Sequence, residues 1–458
     1  MDDNLTRDLE SIIQDRDFSA LRSTLDSWSP ADLASLLVRL PVEDQVIVFR
    51  SLPRKTASTV FHYLNTHARE PLLKAMAKEE VAALLNDMAP DDRTNFLEEL
   101  PASVTKQMLA VLTSEERSVA VSLLGYPDAS IGRLMTPDYI PVGAHWTIEG
   151  VLEHIRQHGQ DSETLSTIYV VNQAGVLIDD IPIRNILLAS PSTRVSDLMD
   201  HRFVSLKAED DQETAVSVFQ REDRTALPVT DASGILIGIV TVDDVLDVAE
   251  AEATEDIQKI GGLEALNHPF MQIPLARMVR KRANWLVILF LGEMLTATAM
   301  GFFEAQIERA VVLALFVPLV ISSGGNSGSQ AATLVIRALA LGEVGLRDWW
   351  RVMRPELLSG LALGSILGAI GFVRIALWST LFKAYGEHWL LMGLTVGLAL
   401  VGIVLWGTLV GSMLPFLLQR LGLDPATSSA PFVATLVDVT GLIIYFSVAA
   451  VVLSGTLL

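Results

Sequence analysis

The spacing of apolar positions changes character twice along the chain. Up to about residue 130 they recur at helical intervals in short stretches marked by prolines: ADLASLLVRLP, EDQVIVFRSLP, KEEVAALLNDMAP, DDRTNFLEELP and SEERSVAVSLL. Asp or Glu heads several of these stretches, as the positive end of a helix favours. Residues 1–130 are therefore expected to form an all-α helical-repeat domain. From about residue 132 a repeat takes over. RLMTPDYIPVGAHWTIEGVLEHIR…TIYVVNQAGVLIDDIPIRNILLA is followed by DLMDHRFVSLKAEDDQETAVSVFQ…ALPVTDASGILIGIVTVDDVLDVAE, with Met135 and Met199 at matching places. Each copy reads short strand, helix, strand, turn, strand, helix, which predicts an α/β pair over 131–194 and 195–248. An acidic connecting helix region follows over 245–283. From 284 to 458 the polar faces disappear, leaving apolar runs at 285–303, 310–334, 357–378, 390–418 and 431–453. Each is long enough, or nearly so, to cross about 30 Å of hydrocarbon. The pattern predicts a five-span all-α membrane domain.

Charge divides the chain in the same way. Residues 271–458 carry 12 Lys and Arg against 9 Asp and Glu, and the preceding residues carry 22 against 45. So acidic a polar part repels nucleic acid and attracts cations, although simple solubility is served equally well. With no cysteine in the sequence, disulfides, thiolate metal sites and thiol catalysis are excluded. The opening MDDNLTRDLESIIQDRDF lacks an apolar core, so no signal peptide is expected. Arg277, Arg280, Lys281 and Arg282 precede the first run. Arg337, Arg347, Arg351 and Arg354 separate the second from the third, and Arg420 the fourth from the fifth. The other two connections hold only Arg309 and Lys383, beside Glu304, Glu308 and Glu387. The positive-inside rule puts the N-terminus in the cytoplasm and the C-terminus outside a cytoplasmic (inner) membrane.

Within the second run, SSGGNSGSQAAT (322–333) is too small and polar for a lipid-facing helix. Its glycines either let helices approach closely or break the helix. Asn326, Ser329 and Gln330 favour a break lining a wet pathway. Asp438 lies roughly 12 Å into the last run at 1.5 Å per residue, where an unpaired carboxylate is costly. Arg374 is the one cation of the neighbouring runs that could reach its depth. A protonated structural Asp is the plain reading; a cation ligand in a pore is the sharper one. Oxygen ligands without sulfur suit a hard divalent ion such as Mg2+. Glu293 in the first run is a secondary acid of open role. In the connecting segment TVDDVLDVAEAEATEDIQKIGG, Asp244, Asp247 and Glu255 share a helix face with Glu252 at its edge, and Glu250 and Asp256 add to the acid. Like charges so spaced destabilise a helix. Such a face is either solvated or bridged by divalent cations to other acids, the candidates being Asp87, Asp91 and Asp92 or Asp211, Glu213 and Asp223.

The two repeats resemble CBS domains, which pair into one module. The whole chain resembles the MgtE family of magnesium channels, most specifically at VTVDDVLDVAEAEATEDI, SGGNSGSQAATLVIRALA, LPFLLQRLGLDP and PFVATLVDVTGLIIYFSVA. That resemblance implies a homodimer with a central pore lined by spans two and five. It implies that Asp438 selects the ion, helped by the Ala434 carbonyl and the stretch around Gly325 and Asn326, and that Asp424 serves the cytoplasmic end. It also implies that the connecting helix, 245–260, plugs the pore while Mg2+ is bound among the acids. Some relatives bind ATP between the CBS repeats. Tyr169, Arg184, Thr241 and Asp244 match nucleotide-contacting positions, but Asn185 stands where an Asp is expected, and Ser329 stands where some relatives have Asn. Two other readings remain: an exporter coupled to protons or sodium, and a nucleotide-sensing signalling protein with mere membrane anchors. An enzyme is disfavoured, because there is no P-loop, and the histidines, His62 and His67 among them, read as scattered without metal-ligand spacing.

Overall fold

The computed structural model describes residues 12, 13, 17–64, 66–160, 162–266 and 273–456. Part of the N-terminal opening and residues 267–272 of the 245–283 segment lie outside them. The chain divides into two compact units, 1–249 and 250–458.

In the first unit, successive helices of 8 to 11 residues run from Phe18–Leu25 to Ser114–Leu124. The prolines that mark the sequence pattern are helix starts. Pro30 and Pro90 sit in first turns, and Pro41, Pro53 and Pro101 stand immediately before theirs. Proline is tolerated there because the first amides of a helix lack intrahelical partners anyway. The core is made by the apolar faces of these helices, with Ala102–Val111 contributing only partly buried side chains. Phe61 meets Phe49 and Phe96 edge-on at centroid distances of 6.2 and 5.4 Å. Arg93 is fully buried; it donates to the Leu85 carbonyl at 3.2 Å and pairs with Glu116, tying its helix to the one before it and to the second one after it.

The repeat gives two three-stranded sheets. β1 (Pro141–Gly143) is parallel to β2 (Thr167–Val171), which is antiparallel to β3 (Leu177–Pro182). β4 (Leu206–Lys207), β5 (Ala226–Thr230) and β6 (Leu236–Thr241) repeat that order. The sheets meet through equivalent turns: Leu177 N donates to Gly234 O at 3.1 Å and Leu236 N to Gly175 O at 3.0 Å. Gly175 and Gly234 have φ of 79° and 81°, a backbone that favours glycine. The helix Val242–Ile260 continues from β6.

Among its described residues the second unit has five helices long and apolar enough to cross a membrane: Leu275–Phe302, Val311–Ala340, Leu346–Phe382, Trp389–Arg420 and Ala430–Val452. The expected glycine-rich break in the second is absent. Its irregularity lies earlier, between Val311–Ala314 and Val317–Ala340, and Ser322 to Thr333 are continuously helical. The glycines serve close approach instead. A Cβ on Gly328 would lie 2.9 Å from the Gly407 carbonyl oxygen, and Gly324 and Gly411 extend the same crossing of spans two and four. Ser327 and Thr408 hydroxyls bond across it at 2.7 Å. Small residues at such a crossing replace the missing hydrophobic drive with dense contact and a polar bond. Span one, by contrast, has no fully buried residue within the single chain.

Candidate functional site

Spans two and five place the membrane acid. Span five starts at Ala430, with the Ser429 hydroxyl accepting from Phe432 N at 3.4 Å, and Ser329 Oγ of span two donates to the Ala430 carbonyl at 3.0 Å. This registers the two helices so that Gly325 faces Asp438. A Cβ on Gly325 would lie 3.4 Å from Asp438 Oδ1 and 3.4 Å from Ala434 Cβ. Gly325, Ala434 and Asp438 are thus neighbours. Asn326 and Ser322 lie on span two, linked at 3.4 Å, with Gln330 one turn on. Glu293 of span one comes within hydrogen-bonding range of Asp438. Two carboxyl groups at that range need a proton or a cation between them. Arg374 does not supply it: its guanidinium stacks 3.3 Å over the Trp378 ring and its Nη1 reaches the Tyr385 hydroxyl at 3.5 Å.

Asp424 caps the short turn Pro425–Thr427, accepting from Ala426 N at 2.8 Å through one oxygen. Its other oxygen takes Lys259 Nζ at 2.6 Å. Lys259 also pairs with Glu255, one turn back on its own helix. Burial opposes the ammonium, but the hydrogen bonds to Asp424 and Glu255 outweigh it and raise its pKa. Asp256 is pushed up by burial first, then by the Asp424 charge. Just beyond, Gly262 at φ 73° lets the chain turn tightly; a Cβ there would lie 2.7 Å from Trp285 Nε1 of span one and 3.3 Å from Pro431 Cγ of span five. The end of the connecting helix is therefore fastened beside the first turn of span five by a lysine that the sequence reading passed over.

The first unit brings Asp91, Asp92 and Asp244 into one electrostatic group, joined by Glu163, Asp243 and the base His62. His62 Nδ1 lies 2.6 Å from Asp92 Oδ1. That hydrogen bond raises the His62 pKa, against the effect of burial. Asp91 is held well above the ordinary range by burial, then by the charges of Asp244, Asp92 and Glu163. Asp244 is pushed up to about 7, chiefly by burial and further by Asp243, Asp92 and Glu163, although the Thr241 hydroxyl donates to it at 2.7 Å. Glu163 is raised by burial and by Asp92 and Asp243. Carboxyls this strained are relieved by a proton or a divalent ion.

The other candidates have local placements. Asp87 pairs with Arg54 at 3.3 Å. Asp211 caps the start of the helix Gln212–Glu222, with Glu213 in its first turn, and Asp223 ends it in a left-handed conformation. The two ends of that helix are about 16 Å apart at 1.5 Å per residue, too far to share one ion. Asp247, Glu250 and Glu252 follow Asp244 along the connecting helix. Tyr169 is fully buried beside Tyr139, with its hydroxyl unpartnered, whereas Arg184 is exposed.

Five apolar spans with an acid between two of them, together with a helical domain and a paired sheet module, are the architecture of a multi-pass cation transporter. Residues 317–448 match the family described as a divalent cation transporter, 28–129 the MgtE intracellular N domain, and 195–251 the CBS domain. The magnesium transporter MgtE of Thermus thermophilus is 39% identical over 99% of this chain and 100% of its own length. That of Enterococcus faecalis is 29% identical over 94% of this chain and 96% of its own. The solved cytosolic domain of the Mg2+ channel MgtE in complex with ATP covers 53% of this chain and 99% of its own, at 34% identity and a TM-score of 0.51. The chain belongs to the MgtE family, a transporter family and not an enzyme family.

Proposed function

We propose that this protein is a Mg2+-selective channel that takes Mg2+ into the cytoplasm, working as a homodimer in the cytoplasmic membrane with its C-terminus outside. One observation carries the reading: Asp438 lies against Gly325 and Ala434 at the contact of spans two and five, and Arg374, engaged elsewhere, does not neutralise it. In a dimer two such acids face each other across an axis, an arrangement that is costly until a divalent ion sits between them. The polar face of Ser322, Asn326 and Gln330 continues the pathway, and Asp424 receives the ion at its cytoplasmic end. Asp438→Ala is expected to abolish Mg2+-dependent growth and currents; wild-type transport by that variant overturns the assignment.

Closure is proposed to follow Mg2+ binding among Asp91, Asp92 and Asp244, with Asp87, Asp211, Glu213, Asp223, Asp247, Glu250, Glu252, Glu255 and Asp256 as the wider acidic surface. Differential binding is all the mechanism requires: Mg2+ must prefer the closed arrangement. Neutralising Asp244, Asp247 and Glu255 together should keep the channel conducting at millimolar Mg2+. The proximity of Glu293 to Asp438 supports a second reading, proton-coupled flux, which an imposed pH gradient would drive. The solved relative with ATP supports the CBS module as an ATP site, with Thr241 and Asp244 on the ribose; Tyr169→Ala and Thr241→Ala should then weaken ATP binding.

A further inference from the structure

His154 and His158 correct the reading of the histidines as scattered. They lie one turn apart on the helix Ile148–His158 of the first CBS repeat, and their ring centroids are 4.4 Å apart with planes at 40°. Residues i and i+4 share a helix face, and two imidazoles so related form a chelating pair for a transition metal. A metal held at about 2.0–2.1 Å by each imidazole needs its two nitrogens about 3 Å apart. Rings with centroids 4.4 Å apart lie within reach of one such ion.

Three details prepare the pair. His158 Nδ1 lies 3.2 Å from the His154 carbonyl oxygen. A carbonyl only accepts, so Nδ1 carries the hydrogen and Nε2 keeps its lone pair. This is how metal-binding histidines are usually oriented, through a hydrogen bond from the other ring nitrogen. His154 is braced by Trp146, edge-on at 5.1 Å and 89°. The nearby positive charge of Arg156 is met by Glu153 at 3.4 Å.

We propose that His154 and His158 form a binding site for one imidazole-preferring divalent cation of the Zn2+, Ni2+, Co2+ or Cu2+ class. Among the described residues no third His, Asp or Glu joins this pair in a metal-holding group, so water fills the remaining positions. Carboxylate sites cannot exclude late transition metals, which bind most ligands more tightly than the hard ions do, whereas an imidazole pair separates them from Mg2+ by ligand type. The sensory module thereby gains a means of telling these metals from the ion its carboxylates suit.

The test is a calorimetric titration of full-length, untagged, detergent-purified protein with NiCl2 in millimolar Mg2+, which saturates the oxygen-ligand sites. One Ni2+ per chain is expected to bind despite the Mg2+. His154→Ala and His158→Ala should each weaken it at least ten-fold, and His388→Ala should leave it intact. Retention on an immobilised Ni2+ resin should fall with His158→Ala, while the thermal unfolding of both variants stays that of the wild type. Absence of Mg2+-resistant Ni2+ binding in the wild type, or its survival in the double variant, overturns the proposal.

Discussion

Asp91, Asp92, Asp244 and Glu163 have His62 as their base, whereas Glu255, Asp256 and Asp424 have Lys259. The first group is under-compensated. Asp91, Asp244 and Glu163 are forced upward by burial and by neighbouring acids, and the base hydrogen-bonded to Asp92 is a histidine, whose charge depends on pH. The second group holds a lysine that stays charged throughout the physiological range. The difference suits them to different work. An under-compensated cluster has much to gain from a divalent ion and suits a sensor. A cluster that carries its own cation has less to gain and suits a latch, here between the connecting helix and the start of span five.

The comparison is broken most readily at the sensor. Asp91→Asn with Asp244→Asn removes the repulsion that a divalent ion would relieve, so protease protection of the helical domain should become independent of Mg2+. A Mg2+ midpoint within ten-fold of the wild type would show that the cluster is no sensor. Lys259→Met removes the latch while sparing the sensor. Flux at millimolar cytosolic Mg2+ should rise several-fold with unchanged ion selectivity, and unchanged flux would remove the latch from the account. A smaller effect comes from pH in divalent-free buffer. Asp244 titrates near 7 in the assembled unit against 3.8 ordinarily, so it binds its proton more tightly when assembled. Association of the helical and CBS parts should strengthen as pH falls from 7 toward 4 and be weakest above 7; hydrogen exchange at their contact measures this. Least affected should be Arg54→Ala, which breaks an exposed pair with Asp87 worth at most about 1 kcal/mol. Its Mg2+ midpoint should not move.

Much of the architecture is legible along the chain because its signals are local and long. The five spans follow from apolar runs, and the paired sheets from a repeat whose turn glycines recur at Gly175 and Gly234. The proline-marked helices follow from a residue that suits a helix start far better than a helix interior. What escapes is what depends on a distant partner. Lys259 and Asp424 are 165 residues apart, and no periodicity joins them. Glu163 and His62 belong to different domains and meet Asp92 only in the folded unit. The Gly324–Gly328 stretch misleads because glycine has two uses. The facing Gly407 and Gly411, invisible as partners in one dimension, decide for close packing over a break. The spacing of His154 and His158 is present in the sequence, yet it becomes a signal only once 148–158 is read as a helix.

The most direct test of the central claim is Mg2+ uptake into liposomes containing the purified protein, measured with a trapped Mg2+ indicator at low internal Mg2+, for the wild type and Asp438→Asn. Asparagine keeps the size of the side chain and removes the charge that would hold a divalent ion between two protomers. Rapid uptake is expected for the wild type and uptake at the rate of empty liposomes for the variant, with both eluting as the same dimer. Uptake by Asp438→Asn at the wild-type rate would contradict the claim.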